Sequence, residues 1–111
     1  MSTLLPLDSD NNPIPAMRLR VGRAHSISAG ATSARNTTAF QDDTQVVSVY
    51  ADVPVYINFG GSTVTATTSD HYFPAGVYYD IAIGGGRTGH YTHMAVLRVS
   101  ADGTVRISEK E

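Results

Sequence analysis

The sequence predicts an all-β fold, an antiparallel β-sandwich or small β-barrel of about seven short strands with an extended N-terminal arm. Three observations carry that expectation. Apolar residues recur at every second position, the spacing of strands whose alternate side chains face a core. Glycine, proline and Asp-Gly turn signals separate these runs. No stretch places apolar residues three and four apart over the length of an amphipathic helix.

From Met1 to Pro15 the chain is polar, with Pro6, Pro13, Pro15 and the run Asp8-Ser9-Asp10-Asn11-Asn12. Such a segment has too little apolar surface to offset the entropy of ordering by itself. Residues 1–15 are therefore expected to form an arm, loose in isolation or laid across a neighbouring subunit. Residues 16–111 are expected to form a single β domain.

Within that domain, Met17, Leu19 and Val21 alternate with Arg18 and Arg20. Val53, Val55, Ile57 and Phe59 alternate with Pro54, Tyr56 and Asn58, and Val77, Tyr79, Ile81 and Ile83 alternate with Tyr78, Asp80 and Ala82. Each run predicts one inward face, so Tyr79 is assigned to the core and Tyr78 to the outside. Gln45 to Ala51 and Tyr91 to Val99 are apolar on both faces, as central strands are. Ser26 to Ala39 is assigned to loops and two short strands. Val105 and Ile107 mark a last strand, and the Ala101-Asp102-Gly103-Thr104 turn before it predicts a β-hairpin.

The bounds on function are mostly exclusions. With 8 basic and 10 acidic residues the chain has no surplus positive charge for phosphate backbones, so no nucleic-acid partner is expected. The absence of cysteine removes disulfides and thiolate chemistry. No run of about 18 apolar residues is present, and the N-terminus lacks a signal-peptide layout; a soluble protein with no membrane partner is expected.

Gly84, Gly86 and Gly89 match the G-x-G-x-x-G spelling of a dinucleotide-binding loop after an apolar run. That motif needs a following helix to hold the pyrophosphate and a return strand. Here the next residues are HYTHMAVLRVSADG, rich in β-branched and aromatic side chains, so Gly84 to His90 is assigned to a loop joining two antiparallel strands. Arg87 at its tip is a candidate contact to an anionic partner surface.

Of the four histidines, His71, His90 and His93 are the weak candidates for a metal site; His90 and His93 fall on opposite faces of a strand, which disfavours a shared ion. Ser69-Asp70-His71 is adjacent in sequence, and adjacency in a strand separates a would-be triad. No G-x-S-x-G elbow occurs. No enzymatic activity and no cofactor are expected; a hydrolase would have to rely on His71 or His93 with a nearby aspartate. Six tyrosines are present, and Tyr72, Tyr78 and Tyr91 are candidate interface residues, because an exposed tyrosine ring anchors protein contacts and also stacks on sugars. A small β-type carbohydrate- or metal-binding module is therefore the alternative to a structural role.

From about residue 45 to the end, the order of segments resembles small virion structural proteins of tailed bacteriophages and prophages. The likeness runs through VSVYADVPVYINFG, through TATTSDHYFPAGVYYDIAIG with its Phe73-Pro74-Ala75-Gly76 turn, and through ADGTVRISE. The glycine-rich loop and the histidines after it depart from that pattern. The resemblance implies a homo-oligomeric β domain that binds other virion proteins such as the major capsid protein, decorating or cementing the head or forming part of the head-to-tail region. It implies localisation to the virion, and to the host cytoplasm during assembly.

Overall fold

The computed structural model describes residues 9–10, 17–85 and 89–111. The arm expected over residues 1–15 therefore lies, apart from Ser9 and Asp10, outside the described residues. Eight strands run through the rest: β1 (Leu19–Ala29), β2 (Ala34–Arg35), β3 (Val46–Ala51), β4 (Val55–Gly60), β5 (His71–Phe73), β6 (Tyr78–Ala82), β7 (His93–Arg98) and β8 (Gly103–Lys110). They form two antiparallel four-stranded sheets, ordered β1-β8-β3-β6 and β2-β7-β4-β5, packed as a β-sandwich. No helix is found among the described residues.

The inward faces follow the alternation where both sheets are present. Val47 and Val49 of β3 and Val105 and Ile107 of β8 meet Val55 and Ile57 of β4 and Met94 and Val96 of β7, all almost completely buried. Removing such a side chain from water contributes roughly 1.5–3 kcal/mol. The two strands that are apolar on both faces, β3 and β7, occupy central positions as expected, each flanked by a strand on either side. Val53, Val55, Ile57 and Phe59 pack on the core as the pattern predicts.

Several expectations are corrected. Leu19 and Val21 point to solvent, Val21 fully, and Met17 is also exposed. The pairing of β1 with β8 shifts register between Leu19 and Ala24, and Gly22 lies at φ 75° in that stretch. A bulge reverses which face alternate residues present. The inner side of β1 carries Arg23, His25 and Ile27 instead, with Ile27 opposite Val105 and His25 opposite Ile107.

The Ala101 to Thr104 turn does not close a hairpin, because β7 and β8 belong to different sheets. It is an arch that carries the chain across the sandwich, and Thr104 N and Asp52 N tie it to β3 through Asp52 Oδ1 (2.7 Å) and Thr104 O (3.2 Å). The glycine-rich loop likewise links β6 to β7 across sheets rather than joining neighbouring antiparallel strands. Turn residues alone cannot tell a hairpin from an arch, since both need the same reversal of direction. The span from Ser26 to Ala39 holds the end of β1 and the two-residue β2.

Tyr79 is the correction with functional weight. It faces inward, opposite Val49, yet is 59% exposed. Val77, expected on the same inner face, is also exposed. β6 is the edge of its sheet, and the facing edge strand β5 is only three residues long, so among the described residues no opposing surface covers these side chains.

Candidate functional site

The uncovered side of the sandwich forms a groove of about 360 Å3 lined by Tyr72, Phe73, Pro74, Val77, Tyr79 and Ile81. Its construction is local. β5 ends at Phe73, Pro74 to Val77 crosses from one sheet to the other, and Gly76 at φ 77° donates its N–H to Ala51 O (2.9 Å) to close the crossing. Phe73 turns its ring into the core. Tyr72, its neighbour in β5, points the other way and stays 58% exposed, held edge-on against Tyr56 with ring centroids 6.2 Å apart. The groove is thus an apolar floor with two exposed tyrosine rims, between two free strand edges.

Of the residues singled out from sequence, Tyr72 lies in this groove. Tyr78 is on the other edge strand, β6, but on the outer face, as expected, with Lys110 Nζ 5.6 Å over its ring. Beside it, the Ser48 hydroxyl and then Lys110 hold the Asp80 carboxyl below its ordinary pKa. Tyr91 is elsewhere, stacked on Phe59 at 5.8 Å where the glycine loop ends. Arg87 lies outside the described residues. Tyr79, Val77 and Ile81 were not legible as site residues, because their alternation is that of a core face.

The described ends of the glycine loop lie against each other. Tyr91 N–H donates to Ile83 O (2.8 Å), closing the loop, and Gly84 at φ 91° sits so near the Gly89 carbonyl that a Cβ would overlap it. Gly84 is required by that close approach. The loop leads into strand β7, not into a helix. The histidines are dispersed: His71 is exposed on β5, His90 Nε2 contacts Thr44 O (2.7 Å), and His93 begins β7. Among the described residues no three His, Asp or Glu side chains gather as metal ligands.

Inside the sandwich a charged cluster surrounds Glu109, whose side chain is 0% exposed. Its Oε1 accepts from Thr44 Oγ1 (2.6 Å) and Gln41 N (2.8 Å), and its Oε2 from Arg23 Nε (2.8 Å) and His25 Nε2 (2.7 Å). Burial alone would raise the Glu109 pKa, but the bonds from Thr44, His25 and Gln41 and the charge of Arg23 outweigh it and hold the carboxyl below its ordinary value. The alternation Val105-Ile107-Glu109 was the sequence signal for this position, since it extends the inner face of β8 by one step.

A second polar site lies on the outer face of the other sheet, where the connection after β4 folds back. Arg35, Asn36, Thr37, Ser62 and His93 line a pocket of about 450 Å3. His93 is 8% exposed, with Nδ1 hydrogen-bonded to Thr92 Oγ1 (2.8 Å). Burial, then the positive charges of Arg35 and His25, hold its imidazole below the ordinary pKa. At mildly acidic pH the unfolded chain then binds more protons than the folded one, so stability rises with pH through that range and is lost below it. Urea unfolding is expected to show the free energy increasing between about pH 5 and pH 7, and His93→Gln is expected to flatten the rise; parallel pH profiles for the two proteins would refute this assignment.

No protein-family model matches the chain, and no curated protein or solved structure matches it. No helix among the described residues is long and apolar enough to cross a membrane.

Proposed function

We propose that this chain is a non-enzymatic structural protein that works by docking onto other protein surfaces, as a virion component of a tailed phage or prophage that decorates or stabilises the capsid. The observation that carries the reading is the groove between β5 and β6. A solvent-facing apolar groove with tyrosine rims, flanked by two strands that lie at sheet edges among the described residues, is chemistry for a protein partner. The virion assignment rests on the resemblance over residues 45–111. The partners in this reading are further copies of the chain and the major capsid protein.

The mechanism is mass action. A subunit that binds only the assembled lattice lowers the free energy of that lattice and opposes its expansion or rupture. No covalent step is needed.

Tyr79→Arg is expected to weaken self-association and capsid binding by about tenfold or more, because it puts a charge where a ring is to be buried. Its own melting temperature is expected to change little, since the ring is exposed. Light scattering at two concentrations, with sedimentation of the protein with capsids, reads both effects. A monomer at both concentrations that also leaves capsid stability unchanged would overturn the proposal. A saturable response to a glycan that disappears in Tyr72→Ala would favour a carbohydrate-binding module instead.

A further inference from the structure

The pocket beside His93 carries an inference independent of the docking groove: we propose that it binds a small oxyanion, a phosphate or a carboxylate, between Arg35 and His93. The lining residues are Arg35, Asn36, Thr37, Ser62 and His93, with no carboxylate among them. Arg35 enters no ion pair among the described residues, in contrast to Arg18, Arg20, Arg23 and Arg98, each of which meets an Asp or Glu. Its one hydrogen bond is a long one, from Nη1 to Val64 O at 3.4 Å. A guanidinium offers five N–H donors in a fork that matches a two-oxygen anion, and most of this one is unused.

His93 supplies the second contact. His93 is more than nine-tenths buried as a residue, and its Nδ1 is engaged by Thr92 Oγ1, while Nε2 has no hydrogen-bond partner among the described residues. In the proposed site Nε2 is the ring nitrogen left to meet the anion. The Thr37 and Ser62 hydroxyls add neutral donors. Asn36 builds the wall instead of binding: its Nδ2 donates to Thr38 O (2.7 Å) and Thr92 O (3.3 Å), and its Oδ1 accepts from Met94 N (2.8 Å). This amide pins the chain after β2 to the start of β7 and so sets Arg35 beside His93.

The electrostatics select the sign of the ligand. The lining holds the Arg35 guanidinium and no carboxylate, so the pocket repels cations and attracts anions. An oxyanion would offset both the burial of the ring and that repulsion, so binding would favour the imidazolium and strengthen as pH falls. No phenylalanine, tyrosine or tryptophan ring lines the pocket, which leaves no broad stacking platform for a neutral sugar.

The test is an NMR titration of the histidine rings in the intact protein, in a non-coordinating buffer at constant ionic strength, with inorganic phosphate, acetate or chloride. His93 is assigned by the signal missing from His93→Gln. Phosphate or acetate is expected to raise the His93 pKa by about one unit or more in a saturable manner, and whichever does so names the oxyanion. Arg35→Gln is expected to weaken that binding about tenfold or more through loss of a charge-assisted contact; Arg35 is exposed, so this variant should keep the wild-type melting temperature. Thr37→Val is expected to weaken it by a smaller factor. Equal His93 pKa values in all three salts, or a shift that is the same in Arg35→Gln, would overturn the proposal. Neither result depends on whether the β5–β6 groove docks a protein.

Discussion

Glu109→Ala is expected to lower the unfolding free energy by about 3–5 kcal/mol, and with it the melting temperature by about 10 °C or more. The carboxylate has no exposed surface and accepts four hydrogen bonds, from Thr44, Gln41, Arg23 and His25. Truncation leaves the Arg23 guanidinium without its counter-charge and leaves His25 Nε2, Gln41 N and Thr44 Oγ1 without an acceptor. Each such loss in a dry interior exposes a desolvation cost that the bond had offset.

Glu109→Gln separates charge from shape, since it keeps the volume and part of the acceptor capacity. It is expected to be less costly than alanine and to alter the acid limb of the stability profile. The folded-state pKa of Glu109 is lowered, so its contribution is present above the unfolded value and lost as pH falls through the folded one. As pH falls below about 4.3, the unfolded value, the difference between the wild type and Glu109→Gln should therefore shrink. Urea unfolding from neutral to acid pH checks this; a constant difference at every pH would mean that the charge contributes nothing.

Phe40→Ala is expected to cost about 3–5 kcal/mol, as deletion of a fully buried ring does where the surroundings cannot collapse. Phe40 comes from the connection between β2 and β3, not from a strand, yet it is 2% exposed and belongs to the core. Its N–H donates to Thr92 O (2.9 Å), and its ring meets the His25 ring edge-on at 5.2 Å and 80°. The side chain thus packs the hydrophobic core against the imidazole that contacts Glu109. Phe40→Leu, which leaves a smaller void, is expected to cost less. Denaturant midpoints measured with an unchanged m-value test the pair; a loss below about 1 kcal/mol for Phe40→Ala would show that the site refills.

The two variants touch neighbouring groups, because His25 contacts both Phe40 and Glu109. Their effects are therefore not expected to add, and the double variant should be less destabilised than the sum of the singles.

The all-β class, the central positions of β3 and β7, the inner face of β4 and the outward Tyr78 were legible from residue alternation alone. Period-two spacing reports which side chains share a face of a strand, and that is a local property. Alternation also marked Tyr79 correctly as inward-facing. Whether an inward-facing residue is buried depends on what stands opposite, and for Tyr79 that is an edge strand of three residues that stops short. The candidate groove exists because of that mismatch in strand length between two sheets, a non-local fact with no signature in either strand's sequence.

By itself the sequence determined the sandwich-forming pattern, the positions of the chain reversals and the absence of a nucleotide-binding helix after the glycine loop, since each comes from backbone preference and side-chain spacing over a few residues. Only the tertiary structure decided that Asp102-Gly103 makes an arch rather than a hairpin, that Leu19 and Val21 face water past a bulge, that Glu109 gathers Arg23, His25 and Thr44, and that Arg35 stands beside His93. Each of these pairs residues from separate strands or connections, and their meeting is set by the order of strands in two sheets, which local propensity does not encode.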